Sequence, residues 1–445
     1  MSLRLITMAA GIGACAAASL LAAGCGGYSS GGDAGKATVT AASGTVIRVP
    51  ADQPTIQQAV DTAGQGDLVL VSPGVYSEAV TVTRPRIVIR GLDRNRVILD
   101  GGDVRDNGIT VQADGVAVEN LTVRRYTDNG VLVNGAWEYT AGGTPHEGDG
   151  VAGEDQMTTS GAEPGAGDEV VRGYRMSYVT AYNNGLYGLY AFAARDGLID
   201  RSYTSGHPDS GVYIGQCRPC NAVVRMTVME VNAIGYFGTN TNGGVTVVDS
   251  VMRDNRLGAA LNSDDAELLA PARGTVFVGN VVTGNQNARA PEITEGFTGG
   301  GVGIRGGVDH VVERNLITGN GGAGVLVTDA PGYPAKGNRV RGNLLREQAF
   351  DLVAQAKDPG CFSGNLFSSS DPANIEKVYP CTGTATAAKQ PQGYRPPAPP
   401  PTVDYTTIPA PPRQPSMPNA ATAPARPATD MPPRVDPGRY RVPRP

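Results

Sequence analysis

The chain has 445 residues, enough for two or three domains by length. Glycine supplies 61 of them, charged residues 18% and aromatic residues 6%, a composition rich in turn formers. The net charge of −5 offers no sign of a nucleic-acid partner, which requires a basic face.

The N-terminus reads as an export signal. Arg4 precedes the small apolar run "LITMAAGIGACAAASLLAAG", which ends in "LLAAGC". This resembles a bacterial lipobox, and the resemblance implies a signal peptide over 1–24, lipidation of Cys25 and anchoring to the outer face of the cell membrane. Residues 25–44 are a Gly/Ser/Ala tether of the flexible kind.

From residue 45 the chain changes character. "IRVPADQPTIQQAVDTAGQGDLVLVSPGVYSEAVTV" precedes a series of similar phrases: "NLTVRR", "YVTAYN", "SYTSGH", "TVMEVN", "SVMRDN", "NVVTGN", "NLITGN" and "NLLREQ". They end at Arg125, Asn183, His207, Asn232, Asn255, Asn285, Asn320 and Gln348, with successive spacings of 58, 24, 25, 23, 30, 35 and 28 residues. A period in this range signals a solenoid. Short Val/Ile runs broken by Asn and Gly make its unit a strand. One residue type recurring at one turn lets side-chain amides bond each other up the axis, and Asn tolerates the left-handed backbone of a tight turn. Asn183, His207, Asn232, Asn255, Asn285 and Asn320 are therefore expected to form a structural ladder.

Residues 45–380 resemble right-handed parallel β-helix proteins of the carbohydrate-binding and sugar-hydrolase type, a superfamily that includes pectate lyase-like folds. The resemblance implies an all-β solenoid of about ten coils over 45–385, its open end capped by a short helix from Thr55 to about Ala63.

Aligning the strand after each ladder residue assigns faces. Alternation sends Val133, Leu189, Val212, Ile214, Leu261, Val302 and Ile304 inward. It sends Tyr190, Tyr213 and Phe237 outward on three consecutive coils, with Asn134, Phe192, Thr239, Asn262 and Arg305 beside them. Gln216, Asn240, Asp264 and Asp265 follow at the strand ends. Aromatic rings stack on sugar faces and amides, acids and arginine bond hydroxyls, so these residues form a candidate polysaccharide-binding face. The competing reading is that a loop covers the aromatics and they merely pack.

Residues 135–173 interrupt the solenoid directly after Asn134. They carry Trp137 and eight acids, with Arg172 as their one basic residue. Solvated chain and a weak calcium site through carboxylate oxygens are both open readings; no other metal or cofactor is expected. Catalytic signatures are incomplete. Asp264-Asp265 lacks the Gly-His-Gly of polygalacturonases, His310 sits in "VDHVV", and His207-Pro208-Asp209 reverses the order of the mannuronan epimerase motif. Whether the protein is a lyase, hydrolase or epimerase, or no enzyme, is left open.

With Cys15 in the signal and Cys25 lipidated, Cys217, Cys220, Cys361 and Cys381 remain. An even number outside the cytoplasm favours two disulfides, each between sequence neighbours. Copper-site accessory proteins of the NosD type share the fold, and Met226, Met229 and Met252 lie near the Cys-x-x-Cys, which gives a metallocluster accessory as one alternative function. A non-catalytic surface scaffold is the other. Residues 386–445 hold 18 of the 33 prolines between 391 and 445, show no apolar periodicity, and are expected to form a disordered arm. A monomer is expected.

Overall fold

The computed structural model describes residues 44–135, 170–264, 269–291, 299–386 and 393–444. The lipobox with Cys25, most of the acidic insert with Trp137, and Asp265 lie outside them.

Each repeat contributes three short strands to three parallel sheets of 12, 11 and 10 strands. We name them A, C and B respectively; from Leu68 to Ala354 the chain visits them in the order A, B, C on each turn. Every ladder is parallel and in register, from Val46–Val49 on Leu68–Val71 to Arg339–Arg341 on Cys361–Ser363 in sheet A. The chain is a right-handed parallel β-helix. At ~4.8 Å per coil the stack is roughly 50 Å tall.

One coil shows how sequence makes the turn. In "VFVGNVVTGN", Val276–Val278 lies in sheet A and Val281–Thr283 in sheet B. After each strand comes a glycine at φ +67°, Gly279 or Gly284, then an asparagine. The left-handed residue reverses the chain, and the asparagine behind it points into the stack. Asn285 Nδ2 donates to Asn320 Oδ1 at 2.8 Å and to Met252 O at 3.0 Å, and its backbone N–H donates to the same Asn320 oxygen at 3.1 Å.

This column runs Asn184, His207, Asn232, Asn255, Asn285, Asn320, Gln348. It contains Asn184 where the sequence analysis places Asn183. Of the two adjacent asparagines, Asn183 takes the left-handed position at φ +52°, and its Nδ2 donates instead to Ile408 O at 2.7 Å. A second ladder stands at the A-to-B turn: Asn280, Asn315, Asn343 and Asn365, each N–H bonded to the next Oδ1, ending on Glu376 of the short helix Ile375–Val378. A shorter third column joins Thr275, His310 and Asn338.

The inward residues are those expected: Val133, Leu189, Val212, Ile214, Leu261, Val302 and Ile304 all lie in the central core. The helix Ile56–Thr62 closes one end. Thr55 Oγ1 accepts from Gln58 N, and Ile56, Ala59 and Val60 are buried. Disulfides join Cys217 to Cys220 and Cys361 to Cys381, as expected. The solenoid resumes at Val171, so Arg172 and Gly173 belong to a strand rather than to the insert.

The proline-rich C-terminus is not a disordered arm. Residues 393–444 form a strap within the same compact unit as the solenoid, held mainly through backbone carbonyls. Tyr394 packs on Phe350 at the far end of sheet C. Arg256 donates to Pro400 O and Pro401 O at 3.0 and 2.8 Å. Between Asn183, which holds Ile408, and Asn95, which exchanges two bonds with Gln414, the strap crosses sheet B. Arg94 donates to Pro415 O, and Arg90 to Ala423 O and Pro424 O. The strap then turns at Gly115, where Ala428 N–H donates to the glycine carbonyl, and returns along sheet A with Val435 and Tyr440 over Val223, Val248 and Val278. Arg90, Arg94 and Arg256 are 1%, 2% and 0% exposed.

His207 gives the fold a measurable pH dependence. Burial pushes its pKa down to about 4, against a weaker opposing effect of the bond to Asn232. Its Nδ1 lies 2.8 Å from Asn232 Oδ1 and its Nε2 3.2 Å from the Asn184 amide nitrogen, so the neutral ring is the one accommodated. Between about pH 6.5 and 4 the unfolded chain binds a proton that the native chain does not, so stability falls as pH drops through that window. The full effect is roughly 3 kcal/mol. His207→Asn keeps the column and removes this slope. Urea denaturation at pH 7 and pH 5 is expected to show the parent losing about 2 kcal/mol more than the variant.

Candidate functional site

The connections are not evenly distributed. Nearly every A-to-B turn is two residues long, whereas the longest connections all border sheet C: 135–170, 263–275 and 329–338 leave its strands and 284–299 enters one. In a solenoid, insertions gather on the face that carries function.

The outer surface of sheet C is two columns wide. Register places Leu132, Tyr190, Tyr213, Phe237, Ala260, Gly303 and Leu326 in one column. Asn134, Phe192, Gly215, Thr239, Asn262, Arg305 and Thr328 form the other. Ring centroids lie 4.9 Å apart for Tyr190–Tyr213 and 5.2 Å for Tyr213–Phe237, both edge-to-face. Phe192 joins edge-on at 5.7 Å from Tyr190. Such pairs add about 0.5–1.5 kcal/mol each beyond burial.

The row is aligned as expected, and of the two readings its middle follows the enclosed one rather than the open platform. Tyr213 is 2% and Phe237 9% exposed. The enclosing residues include Leu186 and Tyr187, whose ring sits 4.8 Å from that of Tyr213, with Ala233, Ile234 and Leu257. Gly215 completes the fit: a Cβ there would lie 2.5 Å from the Tyr213 ring, so the ring folds over a position that only glycine leaves vacant. Tyr190 and Phe192 are half-buried and form the accessible edge of the cluster.

The polar candidates divide in the same way. Gln216 is buried at φ +50° and accepts from Leu269 N at 2.9 Å. Asn240 and Asp264 exchange bonds, Asn240 Nδ2 to Asp264 O at 2.7 Å and Asp264 N to Asn240 Oδ1 at 3.0 Å. These amides brace turns. Asn262 is buried in its column, while Asn134, Arg305 and Asp264 are half-exposed. The structure thus narrows the candidate face to Asn134, Tyr190, Phe192, Asp264 and Arg305.

Two further charged constellations have no counterpart in the sequence analysis. On sheet A, Glu119 pairs with Arg90 at 2.7 Å and Arg175 at 2.8 Å, and Asp200 with Arg225 at 3.2 Å and with Arg201 and Ser177. The strap binds Arg90 and Arg175 from above. On sheet B, Asp100, Arg124, Tyr182, Ser205, Glu230 and Arg253 occupy one outward column. Their signal is faint because each residue is only the last position of a strand of three or four residues.

Of the ligands invoked for a metallocluster accessory, Met226 is exposed and the others have structural roles. Cys217 and Cys220 are disulfide-bonded, and Met229 and Met252 point into the core. Among the described residues no group of three or more His, Cys, Asp or Glu is placed to hold a metal ion.

Fold and site together define a parallel β-helix with a modified, insertion-bearing third sheet. No family model matches the chain, and no curated protein matches it. Solved structures similar to it include the A-module of Azotobacter vinelandii mannuronan C-5 epimerase AlgE6, at 15% identity over 71% of this chain and 90% of that one, with a TM-score of 0.45. An alginate lyase from Paenibacillus sp. str. FPU-7 is similar at 12% identity, over 73% and 99% of the two chains, with a TM-score of 0.38. Pectate lyase Pel9A is similar at 14% identity, over 71% and 72%, with a TM-score of 0.34. The likeness is one of fold and assigns no residue of this chain a role.

Proposed function

We propose that this is an exported, lipid-anchored monomer that binds a polysaccharide along the outer face of sheet C, without a cofactor. The observation that carries the reading is that the aromatic and amide columns lie on the sheet whose connections are lengthened. Coils repeat at ~4.8 Å, close to the length of one sugar unit, so a chain laid across the coils meets equivalent positions at equivalent sugars. Tyr190 and Phe192 supply ring surface, and Asn134, Asp264 and Arg305 supply hydrogen bonds to hydroxyls. Lipidation at Cys25 would hold this face outside the cell, with 26–44 as spacer.

Burial changes which variants test this. Tyr190→Ala with Phe192→Ala is expected to weaken oligosaccharide binding at least tenfold while moving the melting temperature little. Tyr213→Ala leaves a cavity among the rings of Tyr187, Tyr190 and Phe237 and is expected to cost about 3 kcal/mol of stability, much as Val212→Ala does in the core. Calorimetric titration and thermal melts of the three variants check both statements. Unchanged binding in the double variant makes the cluster a packing feature and the protein a scaffold. Binding is expected to survive EDTA.

A further inference from the structure

The strap that docks through its carbonyls keeps its own cations for something else. Residues 391–445 hold seven arginines and three aspartates, out of 37 basic and 42 acidic residues in the chain, so the remainder carries 30 against 39. A basic segment lying on an acidic body would pair with its acids if charge held it there. It does not: Arg395, Arg413, Arg426, Arg434, Arg441 and Arg444 are exposed and make no ion pair with the described residues, and Arg439 meets only Asp436 of the strap itself. What fixes the strap uses none of its own charges: buried guanidiniums of the body donate to its uncharged peptide oxygens, and Tyr440 packs on valines.

The returning limb concentrates the effect. Arg314 donates to Pro437 O at 2.5 Å and accepts its place beside Arg341, whose carbonyl takes the Arg314 N–H. Arg339 and Arg341 are exposed on the same strand of sheet A. Glu313, 1% exposed, is the acid shared by Arg314 and Arg341. Arg434, Arg439 and Arg441 flank the docked residues Pro437 and Tyr440, so the limb and the strand present guanidiniums in excess of carboxylates on one held surface.

We propose that this limb, with Arg339 and Arg341, is a second binding site, for an anionic polysaccharide bearing carboxylate or phosphate groups. Guanidinium forks match both oxyanions bidentately, and a docked strap presents them without the ordering cost of a mobile tail. The site is separate from the sheet C face and stands independently of the function proposed for it.

The test uses the full chain with polygalacturonate as probe, neutral dextran as control and vesicles containing phosphatidylglycerol as the lipid source of anionic groups. The parent is expected to bind polygalacturonate with an affinity that falls steeply with salt, and to bind it better than vesicles. Arg434→Gln with Arg439→Gln and Arg441→Gln is expected to melt like the parent, lose roughly tenfold in affinity at low salt, and show a salt slope shallower by about 3. The Tyr190→Ala, Phe192→Ala variant is expected to bind polygalacturonate like the parent. Equal binding by the triple variant overturns the proposal, as does a parent that binds only vesicles or nothing. Loss of polygalacturonate binding in the sheet C variant also overturns it, because one site would then serve both ligands.

Discussion

Deletion of residues 393–444 is expected to destabilise the solenoid by on the order of 5 kcal/mol and to promote its association. The strap covers two apolar groups on the outer face of sheet A. One is Leu68, Leu70, Val88 and Ala117 under Ala425, and the other Val223, Val248 and Val278 under Val435 and Tyr440. Deletion returns these to water and strips the outer partners from Arg90, Arg94 and Arg256, while releasing the ordering entropy of a chain already stiffened by proline. Arg94 shows how the parts depend on one another. Its guanidinium also donates to Thr180 Oγ1, Val179 O and Arg201 O, tying three coils together, and burial pushes its pKa down to about 10. Urea denaturation and light scattering of the truncated chain check this. A truncated chain as stable and as monomeric as the parent would mean that the strap rests on the solenoid without supporting it.

Asn255→Ala is expected to cost about 3 kcal/mol, and Asn287→Ala well under 1 kcal/mol. Asn255 Oδ1 accepts from both the backbone and the side chain of Asn232, at 2.9 and 3.1 Å, and its Nδ2 donates to Met229 O and Asn285 Oδ1. Alanine leaves these groups buried without partners in the middle of the column. Asn287 lies two residues beyond a ladder position at an exposed turn, where water replaces its bonds to Asp254 O and Arg289 N. Equal losses at the two sites, by urea denaturation, would remove the ladder from the account of stability.

The solenoid was legible because its determinants are side chains at fixed intervals. The core strands and most of one ladder follow from spacing, both disulfides from an even number of exported cysteines paired between sequence neighbours, and the capping helix from the family resemblance. The second ladder was visible in the same phrases, since "NVVTGN" and "NLITGN" begin as well as end with asparagine. Asn183 was misplaced because adjacent asparagines fill two different positions, the left-handed residue and the ladder residue behind it. The strap was illegible for a different reason. It docks through peptide oxygens, which every residue possesses, so proline-rich sequence without periodicity looks the same docked or loose. The enclosure of Tyr213 was hidden likewise: Leu186 and Tyr187 come from the turn before the strand, where alternation assigns no face.

The central claim, a polysaccharide lying across the coils of sheet C, is tested most directly by affinity as a function of ligand length. The column from Asn134 to Thr328 spans seven coils, roughly 30 Å at ~4.8 Å per step. Calorimetric titration with neutral oligosaccharides of graded length, after a glycan array has chosen the sugar, is predicted to show affinity rising with each added unit and levelling off at about six or seven. Affinity that is independent of length, or an array on which no glycan is retained, would contradict it.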